Sequence, residues 1–258
     1  MSEPLNPYAP PREAAPQAAA APAFARPRQL VLYESAEGKA RVAQGTAVAL
    51  LILRLIFAVS LVLEINLYRT LQATADVAQA IPTTHGRHQS IALVVALAML
   101  VNFIALLVWT YAAFANLEAF GARNLSFTSG WAIGSYFIPI ANFWKPYQAL
   151  LELWRCSDPS LARGWGPRPA TLLTVWWVLW AIAAIGNRVI TWSTLRAGDL
   201  DTFTALSTLA LLIVLVVETP MSVCQILLIG RLQQFQNEHV ELLLLQPDNQ
   251  ATNPKRFG

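Results

Sequence analysis

GWAIGSYFIPIANFWKPYQALLELWRCS, residues Gly130–Ser157, is apolar and aromatic enough to enter a bilayer. It also carries Pro139, Asn142, Lys145, Pro146 and Glu152, which a simple spanning helix does not need. Each proline lacks an N–H and clashes with the preceding turn. Each also pushes its predecessor, Ile138 or Lys145, out of the α region. The stretch Ile138–Lys145 is therefore expected to be a break. A fresh helix can start at Pro146, where proline in the first turn is tolerated. Its apolar positions, Tyr147, Leu150, Leu151 and Trp154, recur at i, i+3, i+4 and i+7, with Gln148, Glu152 and Arg155 opposite. That spacing predicts an amphipathic interfacial or re-entrant helix rather than a fifth span.

Four other runs are long enough to cross a hydrocarbon core about 30 Å thick, which takes about 20 residues. They are Ala43–Asn66, Ser90–Asn116, Ala170–Trp192 and Phe203–Leu232, the last with Pro220 inside it. Their apolar residues surround the helix, so they are not surface helices. Composition agrees. Of the 258 residues 55% are hydrophobic and only 13% charged, and the mean hydropathy is +0.45. A soluble domain carries about 25% charged residues. The formal net charge is +3, but the basic residues lie mostly outside the apolar runs, so topology explains them better than nucleic acid does.

The lysine and arginine distribution tests the span count independently. Four spans with both termini cytoplasmic leave thirteen basic residues inside and four outside, with Arg54 within the membrane. Five spans leave eight inside and nine outside, and the bias vanishes. The expected fold is all-α: an integral membrane helical bundle of four transmembrane helices plus a Pro-broken interfacial or re-entrant segment. It is expected to be multi-pass in a bacterial cytoplasmic (inner) membrane, with both termini cytoplasmic.

Residues 1–40 hold seven of the sixteen prolines, spaced by alanine, and read as a disordered cytoplasmic tail. Residues 41–235 form the membrane domain and 236–258 a polar C-terminal tail. The first apolar run follows a long polar leader, so no cleaved signal peptide is expected. Cys156 and Cys224 are too few for a disulfide framework and show no C-x-x-C spacing.

The residues FIPIANFWKPYQALLELWRCSDP, Phe137–Pro159, resemble the hallmark of the domain-of-unknown-function 4328 family: a Phe-Ile-Pro-x-x-Asn segment, an aromatic and Pro, then a helix bearing Glu and Trp. Trp131 and the Trp176-Trp177 pair also look like the family, and the resemblance spans roughly residues 45–235. It implies a bacterial integral membrane protein and brings no catalytic residues with it.

Arg54 lies near the middle of the first run and Glu218 near the middle of the fourth. A charge at the bilayer centre costs about 2.5–3.5 kcal/mol on insertion scales. Two such charges at matching depth are cheaper facing each other, so an Arg54–Glu218 pair or shared polar cavity is expected. It reads either as a substrate or proton site or as an ion pair fixing helix register. Asn102 is mid-span in the second run. Asn142, Lys145 and Glu152 gather in the broken segment, where exposed backbone must be satisfied. They read either as a ligand site or as a helix cap (Asn142) and a snorkelling cation (Lys145). Tryptophans 131, 144, 154 and 165 are expected to form an interfacial belt.

His85-x-x-His88 lacks the further ligands a metal needs, and no P-loop, G-x-S-x-G or H-E-x-x-H occurs. No cofactor and no enzyme activity is expected. The leading expectation is a non-enzymatic structural, partner-binding or regulatory membrane component. The second is a small-molecule or proton-coupled transporter using Arg54, Glu218 and the break, and the third a membrane-embedded enzyme. The expected partners are lipid, other membrane proteins or a second copy of the chain, and no nucleic acid.

Overall fold

The computed structural model describes residues 33–74, 77–197 and 199–245. Of the two expected tails, residues 1–32 and 246–258 lie outside them, whereas residues 37–40 open the first helix and residues 236–245 continue the last. Among the described residues the chain is helical and has no strand. Helix α1 runs Glu37–Thr74 and α2 Val77–Ala119. After a loop come α3 (Ser129–Gly134), 3₁₀ turns at Ser135–Phe137 and Ala141–Phe143, and α4 (Lys145–Ser157). A short α5 (Pro159–Ala162) leads to α6 (Thr171–Thr194). The last arm is α7 (Leu200–Ile213), a π-helical turn (Val214–Glu218) and α8 (Thr219–Leu245).

Among the described residues four helices are long and apolar enough to cross a membrane: Glu37–Thr70, Gln89–Ala119, Thr171–Thr194 and Asp201–Leu245. Less than two-fifths of each apolar window is buried inside the protein. Ile56 and Val59 of α1, Leu97 and Ile104 of α2, Ile182 and Ile185 of α6 and Val216 all face outward. That much exposed aliphatic surface is a lipid-facing surface. This is a multi-pass membrane protein. Helix α1 packs against α2 and against the α7–α8 arm, and α6 covers that arm from the other side.

The Pro-broken segment is a re-entrant hairpin. Gly121, with φ of +79°, ends α2, and Ala122 N–H closes back on Leu117 O at 3.0 Å. Thr128 caps α3 by accepting from Trp131 N–H at 3.2 Å. The chain then descends into the bundle. Tyr136 and Phe137 pack edge-on against Phe103, near the middle of α2, at centroid distances of 5.6 and 6.2 Å. Phe143 reaches Trp180, nine residues into α6, or roughly 14 Å of helix. Residues 138–144 turn the chain around. Helix α4, with Pro146 in its first turn, climbs back to the end it came from. The hairpin makes no fifth crossing, because Pro139 falls where the chain reverses and Pro146 opens the returning helix.

The buried stripe of α4 is rotated from the expected one. Ala149, Leu150, Leu153 and Trp154 are buried, whereas Tyr147 and Leu151 are only half-buried. The helix packs on α2, α3, α6 and α8 rather than lying on lipid. Trp154 accordingly leaves the expected belt. Its ring is 5.0 Å from Phe235 and its Nε1–H donates to Arg168 O at 3.0 Å. Trp131, Trp144 and Trp165 are exposed.

Candidate functional site

Pro220 organises the fourth span around its buried acid. It has no N–H to donate, and the preceding turn widens to a π turn in which Thr219 N–H reaches back to Val214 O. Thr219 Oγ1 donates to the same carbonyl at 2.9 Å. Glu218 O accepts from Ser222 Oγ at 2.9 Å and from Arg54 Nη1 at 3.2 Å. Arg54 also donates to Ser222 Oγ. Single π turns often mark functional positions.

Arg54 and Glu218 are both buried and meet as an ion pair, Nε to Oε2 at 3.2 Å, with the Nε–H off the line to the oxygen. The other carboxylate oxygen accepts from Asn187 Nδ2 at 2.7 Å. Sequence reading missed Asn187, although an asparagine inside an apolar run was its signal. Asn102 is held apart from the pair. It exchanges hydrogen bonds with Gln225 at 3.1 and 3.4 Å and accepts from Thr46 Oγ1 at 3.3 Å.

Beside Arg54 lies a cavity of about 140 Å³, walled by α1, α2, α6, α8 and the hairpin. Three of the residues lining it each hold a buried polar atom with no hydrogen-bond partner in the protein: Tyr136 Oη, Asn142 Oδ1 and Trp176 Nε1. They come from the entering stroke of the hairpin, from its turn and from α6. A buried polar atom left unpaired costs about 1–3 kcal/mol, so three around one cavity call for a polar occupant. The volume suits a small polar solute or several waters. Asn142 therefore does not cap α4. Trp144 holds that position and makes no side-chain cap.

The hairpin turn is a thin wall. Tyr136 and Asn142 face the cavity, whereas Ser135, Ile138 and Ala141 face a larger groove of about 1200 Å³ on the other side. Trp177 Nε1–H ties the turn to α6 by donating to Phe143 O at 3.1 Å. Pro139 is exposed within the turn, and Pro146 is buried where α4 begins. Lys145 stands exposed at the groove, 5.7 Å from the Phe127 ring centroid. Glu152 pins the α2–α3 loop to α4, accepting from Ser126 N–H at 2.6 Å and from Phe127 N–H at 3.1 Å. Burial and the Glu152 charge push the Cys156 thiol up to about 11, away from a reactive thiolate.

Asp158 is a second residue missed in the sequence. It is fully buried, accepts from Ser160 N–H at 3.0 Å and Arg168 N–H at 2.6 Å, and lies 3.7 Å from Arg168 Nε. Burial alone raises its carboxyl, but the bonds from Ser160 and Arg168 and the Arg168 charge outweigh that and hold it below the ordinary carboxylate value. It fixes the loop that carries Trp165 into the groove wall. Among the described residues no three His, Cys, Asp or Glu side chains converge as metal ligands. The side chains of His85 and His88 lie outside the described residues.

Comparison with known proteins agrees with the hairpin motif. The family model for a domain of unknown function, DUF4328, matches residues 70–234, which contain the hairpin and everything that walls the cavity except α1. No curated protein and no solved structure matches the chain.

Proposed function

The chain belongs to the DUF4328 family, and from that premise we propose that it is a non-enzymatic inner-membrane protein that binds a small polar solute in the cavity beneath the re-entrant hairpin and passes it across the membrane. The sequence alone ranks a partner-organising component ahead of a transporter. One observation favours the transporter. Tyr136, Asn142 and Trp176, each with a buried and unpaired polar atom, line one cavity beside Arg54. A dry scaffold gains nothing from three unpaired polar atoms, whereas a solute site needs them.

The Arg54–Glu218–Asn187 cluster supports the reading from one side. It sets Arg54 at the cavity wall with its charge balanced by Glu218, so a neutral or zwitterionic solute fits best. The hairpin supports it from the other side. A turn held to α6 by Trp177 through one side-chain hydrogen bond is easier to move than a packed span. Broken helices at membrane depth serve this purpose in transporters. Both termini at the cytoplasmic face, as the lysine and arginine distribution favours, would make the hairpin the inner gate.

The test is thiol accessibility. Single cysteines at Tyr136, Asn142 and Trp176, in a chain carrying Cys156→Ser and Cys224→Ser, are exposed to a charged, membrane-impermeant thiol reagent in proteoliposomes. The expected result is labelling at all three, with none at lipid-facing Ile104→Cys. Equal protection at the cavity positions and at position 104 would sink the solute site.

A further inference from the structure

The groove on the far side of the hairpin turn carries a charge pattern of its own. Arg123, Lys145 and Arg155 line it, and none of them pairs with a carboxylate among the described residues. The one carboxylate in the lining, Glu152, already accepts two backbone N–H groups of the α2–α3 loop. Trp131 and Trp165, 58% and 67% exposed, line it as well. Much of the remaining lining is apolar and continues onto the hairpin, where Phe137 and Ile140 are 67% and 74% exposed.

We propose that this groove is a binding site for an anionic phospholipid. Its phosphate sits among Arg123, Lys145 and Arg155, and its acyl chains lie along the exposed aliphatic and aromatic face of the hairpin. The charge pattern calls for an anion, since guanidinium and ammonium groups near a bilayer surface attract anionic headgroups. The tryptophans set the depth, because indole rings favour the headgroup level. The apolar surface separates a lipid from a soluble anion. A free phosphate leaves that face uncovered, whereas a diacyl lipid covers it. Lys145 opens α4 directly after the turn, so the bound lipid touches the wall of the cavity. The inference does not depend on what the cavity holds.

The experiment is native mass spectrometry of the full-length protein released from nanodiscs containing equal amounts of phosphatidylglycerol and phosphatidylcholine. Wild-type protein is expected to retain phosphatidylglycerol in preference to phosphatidylcholine. Arg123→Gln, Lys145→Gln and Arg155→Gln should each lower that preference by about fivefold. Lys145→Arg should keep it, and Arg196→Gln should leave it unchanged. All these side chains are exposed, and unchanged helical circular dichroism checks the fold. Equal retention of the two lipids by wild type, or an undiminished preference in the neutralised variants, overturns the proposal. So does displacement of the retained lipid by millimolar glycerophosphate, which would mark a soluble-anion site.

Discussion

Arg54 and Glu218, 164 residues apart in the sequence, meet at 3.2 Å between the first span and the π turn of the fourth. The carboxylate is bonded on its other side by Asn187, so three of the four spans converge on one charge pair. Removing one partner leaves the other buried and uncompensated. Arg54→Leu and Glu218→Leu should each destabilise the purified protein by about 3 kcal/mol, and the double variant should regain most of that loss. Thermal unfolding in detergent reads it. A double variant no better than the worse single one would disprove the coupling.

Glu152 should act locally. Glu152→Ala removes the acceptor of the Ser126 and Phe127 amides. Hydrogen exchange at those two amides is expected to quicken by about tenfold while α4 stays protected. Unchanged exchange in the α2–α3 loop would mean that the loop is held by something else.

Trp177 should set how easily the hairpin turn moves. Trp177→Phe keeps the ring stacked near Trp180 but leaves Phe143 O without its donor. One neutral hydrogen bond is worth about 1 kcal/mol, so Asn142→Cys should react with a polar thiol reagent about fivefold faster in the Trp177→Phe background. An equal rate in the two backgrounds speaks against a gate tied at this point.

Asp158 should give the protein an acid limb. Its folded carboxyl titrates below the unfolded value of about 3.9. The stabilisation is therefore complete above that value and is lost as pH falls through the lower folded one. Melting temperatures followed from pH 6 to about pH 3 should drop on the acid side. Asp158→Asn should flatten that drop and lower stability throughout, by roughly 1–3 kcal/mol, because its amide cannot accept from both Ser160 and Arg168. A variant with the wild-type acid limb would assign the limb to another carboxylate.

Much of this architecture is legible in the sequence because lipid imposes simple rules. Span length, the absence of polar faces and the basic-residue bias give four crossings. Pro139 and Pro146 forbid a straight fifth helix, since each removes a donor and restricts its predecessor. The depth of two lone charges was also legible, because a buried charge without a partner is too costly. What periodicity could not give is rotation and neighbourhood. The α4 stripe turned toward Leu153 because the helix packs on four others, and Trp154 went with it. Asn142 turned to the cavity rather than to a cap, since its direction depends on the hairpin's descent beside α2 and α6.

The sequence by itself determined the membrane class, the four spans and the broken segment, which follow from local composition and proline chemistry, and its hairpin motif carried the resemblance to the family. Only the tertiary structure decided that the break dips to mid-bundle and returns. It alone brought Asn187 to Glu218 and set Tyr136, Asn142 and Trp176 around one cavity. It also gathered Arg123, Lys145 and Arg155 about one groove. Those are meetings of side chains distant along the chain, and packing in three dimensions, not spacing in one, fixes them.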